Sequence, residues 1–149
     1  MSLKKLVVIR NANFMTEGSV GEKQAETLVE RLAPIIGSVS PIVLTSPRES
    51  ARKTAKSICK KFRVRWFSAS DALWCTREEL TSKAPQSLTL IEEHWDDSEI
   101  IIIITHANYM DWLPKAFAEK FLAVDLDGGD IGYTRGWVID CVNKTIVQV

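Results

Sequence analysis

Short apolar runs alternate along this chain with longer stretches in which apolar residues recur every three or four positions. That alternation is the pattern of a layered α/β fold. The runs predict strands over 4–10, 41–45, 62–67, 99–105 and 133–141, with a last one near 144–149. Between them, 22–36 places Ala25, Leu28, Val29, Leu32 and Ile36 on one helical face. Ser46-Pro47-Arg48-Glu49 predicts the start of a second helix, with serine as cap, proline in the first helical position and glutamate closing a capping box. A third helix is expected over 85–97, with Leu88, Ile91 and Trp95 on one side. A fourth is expected over about 107–121, with Leu113, Ala116, Phe117 and Lys120 aligned. The run 100–104 is apolar throughout and reads as a central strand buried on both faces. The last segment alternates around Asn143-Lys144, which predicts a hairpin at the sheet edge.

At 149 residues the expectation is one domain, 1–149, with room for a sizeable core. An apolar content of 46% and a charged content of 26% fit a soluble globular protein. Formal net charge is zero, so no global field favours nucleic acid or an anionic membrane. Met1–Lys5 lacks the apolar run and cleavage site of a secretion signal, and no apolar stretch approaches the roughly 20 residues that span a bilayer. Cys59, Cys75 and Cys141 are odd in number and widely spaced, which predicts reduced thiols in a cytoplasmic protein. Lys60-Lys61-Phe62-Arg63-Val64-Arg65 is basic. Its lysines suit a helix C-terminus and its arginines alternate with apolar residues, so structure accounts for it without nucleic acid. Asp125–Asp130 lacks the sixth-position glycine and twelfth-position glutamate of a calcium loop, and no metal or cofactor is expected.

Candidate chemistry gathers at two strand ends. Leu6-Val7-Val8-Ile9 runs into Arg10-Asn11-Ala12-Asn13, and the isoleucine run ends in Thr105-His106-Ala107-Asn108. Arg10 and His106 are groups that hold a phosphoryl oxygen, and α/β folds bind ligands just past the carboxyl ends of their strands. No glycine-rich phosphate loop follows the first strand, which argues against an ordinary nucleotide-binding domain.

These motifs resemble, in order and spacing, those of the histidine phosphatase superfamily, the phosphoglycerate-mutase-like group that includes small bacterial phosphohistidine phosphatases. Arg10-Asn11-Ala12 stands where that family has Arg-His-Gly or Arg-His-Ala. Gly21, Gln24, Ala25 and Leu28 match its first helix. Ser46, Pro47, Ala51, Thr54 and Ala55 match the Ser-Pro motif, with Ser50 where arginine is expected, and His106 matches the second histidine. The resemblance implies a three-layer α/β/α sandwich with a mostly parallel central sheet. It also implies a site in which the first histidine takes the phosphoryl group while two arginines and the second histidine neutralise its charge.

Two departures change what this implies. An amide nitrogen has no free lone pair, so Asn11 can donate hydrogen bonds to phosphate but cannot accept phosphorus covalently. Ser50 removes a cation. Arg48 and Arg52 flank it, but two residues along a helix is roughly 200° of rotation, so neither is expected on its face. Arg48 in the first turn either swings into the pocket or remains solvated, and the helix N-terminus itself attracts anions.

The expectation is a domain that binds a phosphorylated small molecule or phosphoprotein at Arg10, Asn11, Ser50 and His106 but transfers phosphoryl groups poorly, in effect a pseudoenzyme. Two rivals stand beside it: a phosphomonoesterase using another nucleophile with His106, and an interaction protein whose pocket is abandoned. Asn13 reads equally as ligand contact or turn cap, and Asp71, Glu78 and Glu79 lie where a proton donor could stand. His94 is expected to be exposed, Trp74 is a candidate for the pocket mouth, and most of the five tryptophans are expected in core or rim packing.

Overall fold

The computed structural model describes residues 1–16 and 18–149. Its frame is a six-stranded sheet: β1 (Lys5–Arg10), β2 (Ile42–Thr45), β3 (Ser68–Ala69), β4 (Ile100–Thr105), β5 (Gly136–Asp140) and β6 (Thr145–Gln148). The spatial order is β3-β2-β4-β1-β5-β6. β3, β2, β4 and β1 are parallel neighbours, and the β5–β6 hairpin adds antiparallel to β1.

All six residues of β4 are buried, as the unbroken isoleucine run requires of a strand covered on both faces. Successive side chains go to opposite sides. Leu6, Val8, Ile101 and Ile103 join one core with Leu88 and Ile91 of α4 (Pro85–His94) and Met110, Leu113 and Phe117 of α5 (Ala107–Phe117). Val7, Ile9, Ile102 and Ile104 join the other with Leu28, Leu32 and Ile36 of α1 (Val20–Ile36) and Ala51, Ala55 and Ile58 of α2 (Glu49–Phe62). Helices therefore cover both faces of a mostly parallel sheet, the architecture expected.

The expected helices form with shifted ends. A short α3 (Leu80–Lys83) precedes α4, which stops at His94, and α5 closes in a π-helical turn over Ala118–Leu122. Trp95 still reaches the core, edge-on to Phe121 with centroids 4.9 Å apart. The hairpin turns at 141–144, where the Asp140 carboxylate accepts the backbone N–H groups of Val142 and Asn143 at 2.9 Å.

Two expectations are corrected. The segment 62–67 is not a strand. Phe62 ends α2, Arg63 takes a left-handed conformation (φ 56°), and Val64 N–H closes back on the Cys59 carbonyl at 2.9 Å. The alternation there reflects Val64 and Phe67 packing against the core from a turn, and pairing begins only at Ser68. Nor does a capping box open α2. The helix starts at Glu49 with Arg48 in the N-cap position. The Ser46 hydroxyl still accepts the Arg48 N–H, but the Ser46 N–H is taken by the Ile104 carbonyl and Glu49 turns to Lys53, so the box does not close.

The three cysteines are buried and unbridged, and burial pushes the thiols of Cys59 and Cys141 up to about 11. Among the described residues no helix is long and apolar enough to cross a membrane.

Candidate functional site

The register of β1 on β4 pairs Arg10 with Thr105, so the next residues of each strand, Asn11 and His106, leave the sheet side by side. The Asn11 N–H donates to the Thr105 carbonyl at 3.0 Å and holds the two exits together. Both residues line a cavity of about 690 Å³ with Met15, Pro47, Arg48, Glu49, Ser50, Arg52 and Trp74.

Each wall has an identifiable anchor. The Thr54 hydroxyl, fully buried, accepts the Ala12 N–H at 3.0 Å and donates to the Ser50 carbonyl at 2.7 Å, pinning the β1 exit to the first turn of α2. The Gln24 side chain accepts the Asn13 N–H at 2.7 Å. Gly21 leaves room for the Phe14 ring, which lies 2.5 Å from where a Cβ would stand. The 3-10 turn Asp71–Leu73 and Trp74 are held by the β4–α5 junction. Thr105 Oγ1 donates to the Leu73 carbonyl (2.7 Å), Asn108 Nδ2 to the Cys75 carbonyl (3.0 Å) and Tyr109 OH to the Ala72 carbonyl (2.9 Å). Trp74 is thereby placed under the Arg48 guanidinium, 5.0 Å from its ring centroid, with Lys83 Nζ at 5.2 Å.

Asn11 is almost fully buried, and its Nδ2 donates to the Ala12 carbonyl at 2.9 Å. His106 sits in the N-cap position of α5 with Nε2 2.7 Å from Ser46 Oγ. That hydroxyl is fully buried and already accepts the Arg48 N–H at 3.2 Å. With no other acceptor for it among the described residues, its proton goes to Nε2, which leaves the ring proton on Nδ1. Burial first, then the charges of Arg48 and Arg10, push the imidazole down to about 4, so His106 is uncharged at neutral pH.

Arg10 does not line the cavity. Its Nη1 donates to the Ile131 carbonyl at 2.9 Å and its guanidinium lies over the Tyr133 ring, 4.1 Å from the centroid. Its Nε and Nη2 have no protein partner among the described residues. Ser50 lines the cavity as expected of its position. Arg48 lies outside the helix on extended backbone (φ −67°, ψ 147°), so helical rotation does not govern it, and it lines the wall. Arg52 lines the cavity too, although the helical-wheel argument placed it elsewhere; the cavity is wide enough to take in the outer edge of the first turn.

Asp71, Glu78 and Glu79 are exposed and do not line the cavity; Glu79 instead accepts from the Thr76 N–H and hydroxyl, which hold its carboxyl below the usual range. Among the described residues, the only carboxylate in the wall is Glu49, which sequence reasoning passed over; it pairs with Lys53 at 3.2 Å. Its place one residue before Ser50 was the available signal. Asn13 takes the turn role, bonding Thr16 and the Met15 N–H. His94 is half-buried beside Asp97 (3.6 Å), not exposed.

Among the described residues, the cavity thus receives the N-termini of α2 and α5, the two cations Arg48 and Arg52 and a neutral imidazole donor. That combination suits an oxyanion. The described residues contain no cluster of three or more metal-ligating side chains.

No protein-family model matches the chain, and no curated protein matches it significantly. Its fold is similar to several solved structures. One is a putative phosphohistidine phosphatase SixA from Agrobacterium tumefaciens, with 16% identity over 93% of this chain and 92% of that one and a TM-score of 0.64. Another is a phosphoglycerate mutase from Plasmodium falciparum, at 18% identity, 98% and 88% coverage and a TM-score of 0.62. A third is the protein histidine phosphatase SixA complexed with tungstate, at 11% identity, 97% and 94% coverage and a TM-score of 0.62. At these identities the likeness is one of fold.

Proposed function

We propose that this chain is a histidine-phosphatase-like domain that binds a phosphorylated small molecule or phosphoprotein in the cavity beside Asn11 and His106 and is impaired in phosphoryl transfer. The observation that carries this reading is the side-by-side exit of Asn11 and His106 into a cavity walled by Arg48, Ser50 and Arg52. Two structures of similar fold are those of a putative phosphohistidine phosphatase and of a protein histidine phosphatase holding tungstate, an oxyanion shaped like phosphate.

In this reading the phosphoryl oxygens meet His106 Nδ1–H, Asn11 and the free N–H groups of α2's first turn, with Arg48 and Arg52 supplying charge from the wall and Arg10 adding its field from outside it. Nothing at position 11 can attack phosphorus, because the asparagine lone pair is delocalised into its carbonyl. Ser46, the hydroxyl nearest His106, is fully buried and serves to hold the ring. Hydrolysis by water with His106 as base has the uncharged imidazole in its favour, but a base with a pKa near 4 gives little driving force for proton removal at neutral pH.

The test is a phosphatase assay with calorimetric anion binding on the unaltered chain, Asn11→His, and Asn11→His with Ser50→Arg. Expected are phosphate or tungstate binding without turnover in the unaltered chain, and turnover in the double variant. Robust turnover by the unaltered chain that collapses in His106→Ala establishes the enzymatic reading instead. Absence of any anion binding leaves only the abandoned pocket.

A further inference from the structure

Residues 48–65 carry eight basic side chains and one acidic one, leaving eleven basic against eighteen acidic residues in the rest of an electrically neutral chain. In the structure this segment is α2 and the turn after it. Arg52, Lys53, Lys56 and Lys60 are exposed and fall within roughly 100° of one another around the helix axis, opposite the buried Ala51, Ala55 and Ile58. They form a single strip about 12 Å long. One end is the cavity rim at Arg52. At the other end, Arg63, Arg65 and Trp66 border a depression of about 380 Å³ with Pro41, Val64 and His94.

Helix stability accounts for only part of this strip. Lys60 and Lys61 complement the negative end of the helix dipole, but Arg52 and Lys53 near the positive end oppose it. The one acid on the strip, Glu49, is paired with Lys53. Arg52, Lys56, Lys60, Lys61, Arg63 and Arg65 are in no ion pair among the described residues. Trp66 is 71% exposed, an exception to the packing expected of most tryptophans, and its indole is a large apolar surface left in water beside this charge.

We propose that the outer face of α2 and the turn through Trp66 dock an acidic segment of a partner protein, with an apolar side chain of that segment seated against Trp66. The strip is one helix wide. Glu22 and Glu26 of α1 wall the groove that Ser57, Lys60, Lys61 and Arg63 wall from α2, and the remainder of the chain is net acidic. A duplex or an anionic bilayer presents negative charge well beyond such a strip and meets repulsion there. A polypeptide segment as narrow as the strip does not. An aromatic anchor at one end of a charged track is likewise a protein-interface feature. The proposal does not depend on phosphate binding in the cavity.

The experiment measures fluorescence anisotropy of a labelled peptide of about 20 residues, about 30 Å as a helix and so long enough to cover the strip and reach beyond it toward Trp66, rich in Glu and Asp around a Leu-Leu pair. Comparators are its Gln/Asn counterpart, single-stranded and duplex DNA of similar length, and phosphatidylcholine/phosphatidylserine vesicles. The proteins are the full chain, Lys56→Glu with Lys60→Glu, and Trp66→Ala, none of which touches the cavity wall; melting curves verify folding. The acidic peptide is expected to bind, to weaken about tenfold or more on charge reversal and with added salt, and to weaken several-fold in Trp66→Ala with the salt slope unchanged. Failure of the peptide to bind, or equal binding by the charge-reversed protein, overturns the proposal. So does tighter binding of DNA or vesicles, or self-association in ultracentrifugation that disappears on charge reversal. Calorimetric phosphate binding, expected to be unchanged in these variants, separates this surface from the cavity.

Discussion

The Ser46 hydroxyl lies 2.7 Å from Nε2 of His106, so a fully buried serine sets the tautomer of the one imidazole in the cavity wall. The serine is held in turn by the Arg48 N–H, and burial with two nearby arginines keeps the ring uncharged.

The first prediction follows from that neutral ring. The unfolded chain takes up a proton at His106 near pH 6.5, while the folded chain resists until about pH 4. Between those values the unfolded state binds more protons, so stability falls as pH falls, by on the order of 3 kcal/mol across the window. Urea melts at stepped pH should show this loss, and His106→Gln should flatten it. Identical slopes in the two proteins would show that His106 is not the group responsible.

Anion binding should act on the same proton in the opposite sense. A bound oxyanion offsets the arginine charges and raises the pKa of His106, so affinity should rise as pH falls from 7 toward 4. Sulfate is the suitable probe because its own charge is constant in that range. The imidazole resonance followed by NMR with and without sulfate should shift its midpoint upward, and a midpoint indifferent to saturating sulfate would separate His106 from the anion site.

Thr54→Val removes the hydroxyl that joins the Ala12 N–H to the Ser50 carbonyl while keeping the side-chain shape. The orphaned N–H should cost about 1–3 kcal/mol. Hydrogen exchange at Ala12 should accelerate well beyond any change in the β4 amides. Unchanged exchange at Ala12 would mean another group holds the β1 exit to α2.

Gly136→Ala tests the β1–β5 seam. A Cβ there would lie 2.2 Å from the Val8 carbonyl oxygen and 2.5 Å from Ile9 Cδ1, so the strands must separate. Destabilisation of about 1–3 kcal/mol or more is expected, read as a lower melting temperature. Gly132→Ala, with nothing within 4 Å of its Cβ, is the matched control.

The parts legible from sequence were those fixed by periodicity. Ile100–Ile104 could only be a strand covered on both sides, and the Ala25–Leu28–Leu32–Ile36 stripe could only be one helix face. What escaped was set by contacts between distant segments. Val64 and Phe67 mimic a strand's alternation because a turn also buries every second or third side chain against a nearby core. Ser46 looked like a helix cap, and its hydroxyl, while accepting the Arg48 N–H, also serves His106, sixty residues away. Arg52 and Glu49 were missed because a helical wheel describes faces of a cylinder, whereas a cavity at a helix end takes in residues from around its first turn.

The pinning of the β1 exit by Thr54 has a consequence for protein engineering. Its bonds run through the backbone N–H of Ala12 and the backbone carbonyl of Ser50, not through the side chains at positions 11 and 50. Those two side chains face the cavity and lie outside both apolar cores. Replacing them should therefore leave both cores intact, at a cost limited to the Asn11 side-chain bond and local burial, and change reactivity. The scaffold can host a series of sites, from anion receptor to phosphoryl carrier, without its interior being redesigned.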